Sequence, residues 1–125
     1  MAKEKSILLV EDDEFLAELY ATKLNLEGFN VSLAVDGEKG LKSAKENKPD
    51  LILLDIILPK MDGFEVLKEI KKDPALKNVP VILLTNLSQK DEVKRGLDLG
   101  ANDYLIKAHF MPSEVVKKIK QTITA

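Results

Sequence analysis

The feature that most limits what this chain can become is an alternation of short aliphatic runs with longer amphipathic stretches. Ser6–Val10, Asn30–Val35, Leu51–Leu54, Val79–Leu84 and Asp103–Ile106 read as strands. Three of these runs are almost wholly apolar, as expected of strands covered by helices on both faces. Glu14–Glu27 reads as a helix with Phe15, Leu16, Leu19 and Leu24 near one stripe, and Gly28 stands where a C-terminal cap belongs. Gly37–Asn47 carries Leu41 and Ala44 and stops before Pro49. Phe64–Lys72 carries Phe64, Val66, Leu67 and Ile70 and ends at Asp73-Pro74. Lys90–Leu99 carries Val93 and Leu97, with Gly100 behind it. Pro112–Thr124 opens on a proline, which suits a first helical turn, and carries Val115, Val116, Ile119 and Ile123. Strands alternating with helices in this way predict one α/β domain over residues 1–125, built on a parallel sheet.

Length and composition agree with that picture. A chain of 125 residues fits one domain and can bury a core without disulfides, and it has no cysteine. The net charge of −2, with both signs interspersed, offers no large basic surface and argues against direct nucleic-acid binding. The opening MAKEKSILLV lacks the apolar segment of a secretory signal, and no run approaches the roughly 18 apolar residues of a membrane span. The expected location is the cytoplasm, with no membrane insertion.

In an open α/β sheet, ligands bind at the carboxyl ends of the strands. Glu11, Asp12 and Asp13 follow the first run, Asp55 the third, Thr85 the fourth and Lys107 the fifth. Each has an ordinary explanation by itself: acids before a helix cap it, and a lone lysine is usually solvated. Together at one sheet edge, they suit a single chemistry. Carboxylates from two strand ends can hold Mg²⁺, which favours oxygen ligands. One carboxylate can act as nucleophile toward a phosphoryl donor. A metal, a hydroxyl and a lysine supply the positioning and charge neutralisation that phosphoryl transfer requires.

The segments ILLVEDDE (Ile7–Glu14), PDLILLDIILPKMDGFEVL (Pro49–Leu67), PVILLT (Pro80–Thr85) and LGANDYLIK (Leu99–Lys107) resemble the receiver domain of bacterial two-component response regulators. The likeness runs from Ile7 to about Ile123 and is most specific in the middle segment. It implies a doubly wound, flavodoxin-like (βα)5 fold: a five-stranded parallel sheet with five helices. It implies Asp55 as phosphoacceptor, with Glu11 and Asp12 as the acidic pair and Asp12 the one touching Mg²⁺ directly. Asp13 then falls one position late and reads as a helix cap. Ile57 would give the metal its backbone carbonyl, so its side-chain type is free. Thr85 corresponds to the hydroxyl that bonds the phosphoryl group, and Lys107 to the lysine that pairs with it. Tyr104 corresponds to the aromatic switch residue that moves with Thr85, with a half-buried strand tyrosine as the alternative. The implied partners are a sensor histidine kinase or phosphotransfer protein and a downstream protein target, the chain itself being a monomer or weak dimer. It would catalyse only its own phosphorylation and slow dephosphorylation, and signal through the face formed by helix four, strand five and helix five.

The chain departs from the family pattern in places. Ala108 follows Lys107 where proline is usual, so a trans peptide is expected there. The phenylalanine expected two residues after the lysine comes three after it, as Phe110, and Asn86 stands where a very small residue is usual. His109 has no partner residues for chemistry nearby and reads as a surface loop residue. Ile57 and Leu87 flank the site with large apolar side chains, which predicts slow loss of the phosphoryl group. Three rivals stand beside this reading. The first is an unphosphorylated pseudo-receiver used only as an interaction module. The second is a phosphatase or mutase, which would want an acid where Ile57 stands. The third is a flavin-binding relative, whose phosphate EDDE would repel. Because the chain stops after the fifth helix at Ala125, its output would be a protein contact or onward phosphotransfer, unless it is a receiver cut from a longer protein.

Overall fold

The computed structural model describes residues 4–124. In chain order the elements are β1 (Ser6–Val10), α1 (Glu14–Leu26), β2 (Asn30–Ala34), α2 (Gly37–Asn47), β3 (Leu51–Leu54), α3 (Gly63–Lys72), β4 (Val81–Thr85), α4 (Lys90–Asp98), β5 (Asp103–Ile106) and α5 (Pro112–Thr124). A 3₁₀ turn over Lys107–His109 joins β5 to α5. All four strand pairings are parallel and the spatial order is β2-β1-β3-β4-β5, so the chain reverses direction across the sheet after β2. This is the parallel sheet that the alternation predicts, in the doubly wound, flavodoxin-like order that the resemblance implies.

Because strand side chains alternate faces, each central strand feeds two cores. Leu8, Val10, Ile52, Leu54, Val81 and Leu83 face Ala44 of α2 and Val66, Leu67 and Ile70 of α3. Ile7, Leu9, Leu51, Leu53, Ile82 and Leu84 face Ala17, Tyr20 and Leu24 of α1 and Val115, Val116 and Ile119 of α5. Every residue of β3 and β4 is buried, which explains why these two runs look apolar throughout rather than alternating.

Helix boundaries follow local chemistry. Asp13, Asp36 and Asp62 each cap a helix by accepting the backbone N–H three residues on, at 3.1, 2.8 and 3.0 Å. Gly28 takes φ +94 just past α1, where a Cβ would be strained.

The structure corrects several expectations. β4 runs Val81–Thr85 rather than Val79–Leu84, so Thr85 is the last residue of the strand and not a loop residue. Its start is displaced because the Asn102 side chain accepts the Val81 N–H at 3.0 Å, pinning the strand there. On α1, Phe15 is 75% exposed, and Tyr20 takes its place in the buried stripe. On α4, Leu97 is 46% exposed and only Gly96 is buried. α1 carries apolar residues on more than one face, so spacing alone could not say which turns inward, and on α4 the inward position is Gly96, which has no side chain to signal it.

Candidate functional site

The carboxyl ends of β1, β3 and β5 lie side by side with β4, and the residues that follow them converge. β1 leads into Glu11 and Asp12, while the Glu11 N–H bonds the Ala34 carbonyl at 3.0 Å and continues the ladder to β2. Glu11 is 3% exposed, and its Oε2 accepts the Asp13 N–H at 3.1 Å. β3 leads into Asp55, whose N–H bonds the Val10 carbonyl at 3.1 Å and whose side chain is largely buried. From β5 comes Lys107. Its Nζ lies 2.5 Å from Glu11 Oε1 and 2.7 Å from Asp55 Oδ2. Asp12, exposed at the rim, completes a group in which carboxylate oxygens of Glu11, Asp12 and Asp55 lie within 4.8 Å of one another.

The two oxygens of Asp55 are not equivalent. Oδ1 accepts the Ile56 N–H at 2.7 Å, which fixes the carboxylate plane, and Oδ2 meets only Lys107. The turn after Asp55 is packed just as tightly. Gly63 donates to the Ile56 carbonyl at 2.8 Å, and a Cβ there would stand 2.2 Å from the Asp55 carbonyl oxygen. Across the same turn, Gly37 lies so close that a Cβ would overlap the Met61 carbonyl oxygen at 1.7 Å. Lys60 adopts φ +73 between them, a left-handed conformation that a lysine enters at a cost.

The electrostatics follow from crowding. Burial alone would lower the Lys107 pKa, but its hydrogen bonds to Asp55 and Glu11 outweigh that and hold it above its ordinary value, so the ammonium stays charged. One ammonium cannot fully compensate two carboxylates. Burial therefore pushes Glu11 above the ordinary carboxylate range despite the opposing pull of Lys107. Three carboxylates around a single ammonium leave room for a divalent cation, and an all-oxygen donor set suits a hard one such as Mg²⁺.

The remaining predicted residues sit around this centre. Thr85 is fully buried at the end of β4, in register with Ile106, and its hydroxyl accepts a long 3.4 Å bond from the Leu87 N–H. Tyr104 is part-buried on β5, and its hydroxyl donates to the Leu87 carbonyl at 2.7 Å. Burial and then the charges of Glu92 and Asp55 push its pKa up to about 12, so it remains a donor at neutral pH. The Leu87 carbonyl was invisible to sequence reasoning, since a backbone acceptor carries no residue signature. Ile57 is 61% exposed beside the pocket. The Lys107–Ala108 peptide is trans, and His109 is exposed in the turn after it.

Comparison with known proteins fits this geometry. The family model described as the response regulator receiver domain matches residues 7–120. The chain is 41% identical over 116 residues to the alkaline phosphatase synthesis transcriptional regulatory protein PhoP of Bacillus subtilis, covering 93% of this chain and 47% of that protein. It is 43% identical over 101 residues to the response regulator PleD of Caulobacter vibrioides, covering 81% and 22%. The chain thus spans about half the length of the first relative and under a quarter of the second. Among solved structures, a Francisella response regulator receiver domain superposes with TM-score 0.90 at 30% identity, covering 97% of this chain and 98% of that one. A CheY-like receiver domain protein from Methanospirillum hungatei gives 0.91 at 29% identity, covering 98% and 95%. With sheet order, acidic edge and sequence in agreement, the chain belongs to the receiver domain family of two-component response regulators.

Proposed function

We propose that residues 1–125 form a single receiver unit that takes a phosphoryl group on Asp55 from a sensor histidine kinase or phosphotransfer protein. The observation that carries this reading is the convergence of Glu11, Asp12 and Asp55 on the Lys107 ammonium at one sheet edge. Burying like charges together is costly. A module used only for protein contacts has no need of them.

The chain's own groups divide the work. The Ile56 N–H holds Asp55 Oδ1, so Oδ2 is the oxygen that attacks phosphorus. An O–P bond forms as the P–N bond of a phosphohistidine, or the P–O bond of a small acyl phosphate, breaks in line. Lys107 already lies on Oδ2 and pairs with the incoming phosphoryl oxygens, and the Thr85 hydroxyl donates to another. Glu11, Asp12, Asp55 and the Ile57 backbone carbonyl would hold Mg²⁺, which when bound supplies further neutralisation of the phosphoryl charge. Ile57 and Leu87 offer no group that orients a hydrolytic water, so self-dephosphorylation is slow.

Drawing Thr85 toward the phosphoryl group strains its bond to the Leu87 N–H, and Tyr104 is tied to the same residue through the Leu87 carbonyl. The change emerges on the face of α4, β5 and α5 and is read by a downstream protein. A cytoplasmic location, a monomeric or weakly dimeric state and no direct contact with nucleic acid complete the reading. It rests there on the balanced charge of −2 and on described helices too short or too polar to cross a membrane.

The test is incubation with Mg²⁺ and acetyl phosphate followed by mass mapping. One phosphoryl adduct on Asp55, absent in Asp55→Asn, is expected. No adduct, or one that persists in Asp55→Asn, overturns the proposal.

A further inference from the structure

Helix α4 touches the rest of the molecule through a short set of contacts. Its one buried residue is Gly96, where a Cβ would stand 2.6 Å from Leu83 Cδ1 and 3.0 Å from Tyr104 Cδ2. That contact sets α4 on β4 and β5, while the bond from Tyr104 to the Leu87 carbonyl ties the loop leading into α4 to β5. On the neighbouring position the chain's one arginine, Arg95, lays its guanidinium over the Phe64 ring, 4.3 Å from the centroid. Phe64 is nearly buried at the start of α3 and follows Gly63, which is packed against the Asp55 carbonyl and the Ile56 backbone.

We propose that Arg95 on Phe64 is a clamp that ties α4 to the Asp55 turn independently of Tyr104. The geometry supports this on three counts. A guanidinium over an aromatic face is attracted by the ring's negative quadrupole, and Arg stacks there better than Lys because it is planar and weakly hydrated. The Phe64 ring is held in place by burial in the core on the α3 side of the sheet, and Gly63 before it is packed against the Asp55 and Ile56 backbone. Finally, α4 has no large side chain buried beneath it, so a contact of modest strength decides where it sits. Any shift of the Asp55 turn is therefore carried to α4 through Gly63 and Phe64, in parallel with the route through Thr85, Leu87 and Tyr104. The signalling consequence rests on the reading of Asp55 as phosphoacceptor; the clamp itself does not.

Amide hydrogen exchange of residues 90–98, read by mass spectrometry, tests it in wild type, Arg95→Met and Arg95→Lys. Each protein is measured alone and with Mg²⁺ and acetyl phosphate, and the adduct mass is recorded on every sample. In the unphosphorylated proteins, α4 exchange about two- to fivefold faster is expected in Arg95→Met, with Arg95→Lys between it and wild type. With equal adduct present, the donor-induced change in α4 exchange is expected to be smaller in Arg95→Met than in wild type. Equal resting exchange in wild type and Arg95→Met overturns the clamp, and so does a donor-induced change of the same size in both. Absence of adduct counts against Asp55 as acceptor, and the resting comparison then decides the clamp alone.

Discussion

Helices α3 and α4 pack on the same side of the sheet and are attached in opposite ways. α3 buries Gly63, Phe64, Val66, Leu67 and Ile70, and it begins against the backbone of Asp55 and Ile56. α4 buries Gly96 alone and leaves Leu97 half exposed. The helix that must hold the acidic turn in place is riveted into the core. Its neighbour is held by the close approach of Gly96 and the ring contact of Arg95, with the Tyr104 bond to the Leu87 carbonyl just ahead of it in the chain. Local stability is known to vary in this way, with moving elements drawn from its low end.

The contrast is broken most directly by truncation. Ile70→Ala, at a fully buried position of α3, is expected to cost about 2–5 kcal/mol, whereas Leu97→Ala on α4 should stay within about 0.5 kcal/mol. Urea unfolding of both variants measures the gap, and similar losses would show that α4 is anchored after all.

A smaller effect separates the two glycines. Gly63→Ala drives a methyl into backbone that cannot move and is expected to cost about 1–3 kcal/mol or more. Gly96→Ala meets side-chain atoms of Leu83 and Tyr104, and it gains about 1 kcal/mol of helix propensity in return. Its loss of stability should therefore be clearly smaller, while the Tyr104 ring is displaced. Unfolding curves together with tyrosine fluorescence check both halves.

The acidic edge beside α3 sharpens the comparison through pH. Folding raises the Glu11 pKa, so its contribution to stability is present below the unfolded value and is lost as pH rises through the folded one. A bound cation offsets that loss. Thermal stabilisation by saturating Mg²⁺ should grow as pH rises through the range just above ordinary carboxylates. Below that range the affinity should fall by up to about tenfold per pH unit. Calorimetric titration of wild type and Glu11→Gln is the check, and an unchanged pH profile in the variant contradicts the assignment.

The smallest expected effect is at Lys60. Relief of its left-handed backbone in Lys60→Gly should stabilise the Asp55 turn by about 0.5–1 kcal/mol, with no change in α4 exchange.

Most of this architecture was legible in the sequence, because buried parallel strands must be aliphatic and helices between them must be amphipathic. The convergence of Glu11, Asp12, Asp55 and Lys107 was legible for the same reason, since strand ends point to one edge. Two kinds of information were not. Phe15, expected near the buried stripe of α1, is exposed and Tyr20 is buried instead, because α1 is apolar on more than one face. The footing of α4 was also hidden, because it depends on a missing side chain at Gly96 and on an arginine that looks like any solvated cation until Phe64 is found beneath it. Loop backbone is likewise silent in sequence, which concealed the Leu87 carbonyl.

Lys107 lies 96 positions from Glu11 and 52 from Asp55, just after the last strand in the sequence. Contacts of such long range form only when the intervening chain is already in place. A partly folded chain would present the two carboxylates without their ammonium. Assembly of the charge-balanced acidic edge is thereby coupled to completion of folding.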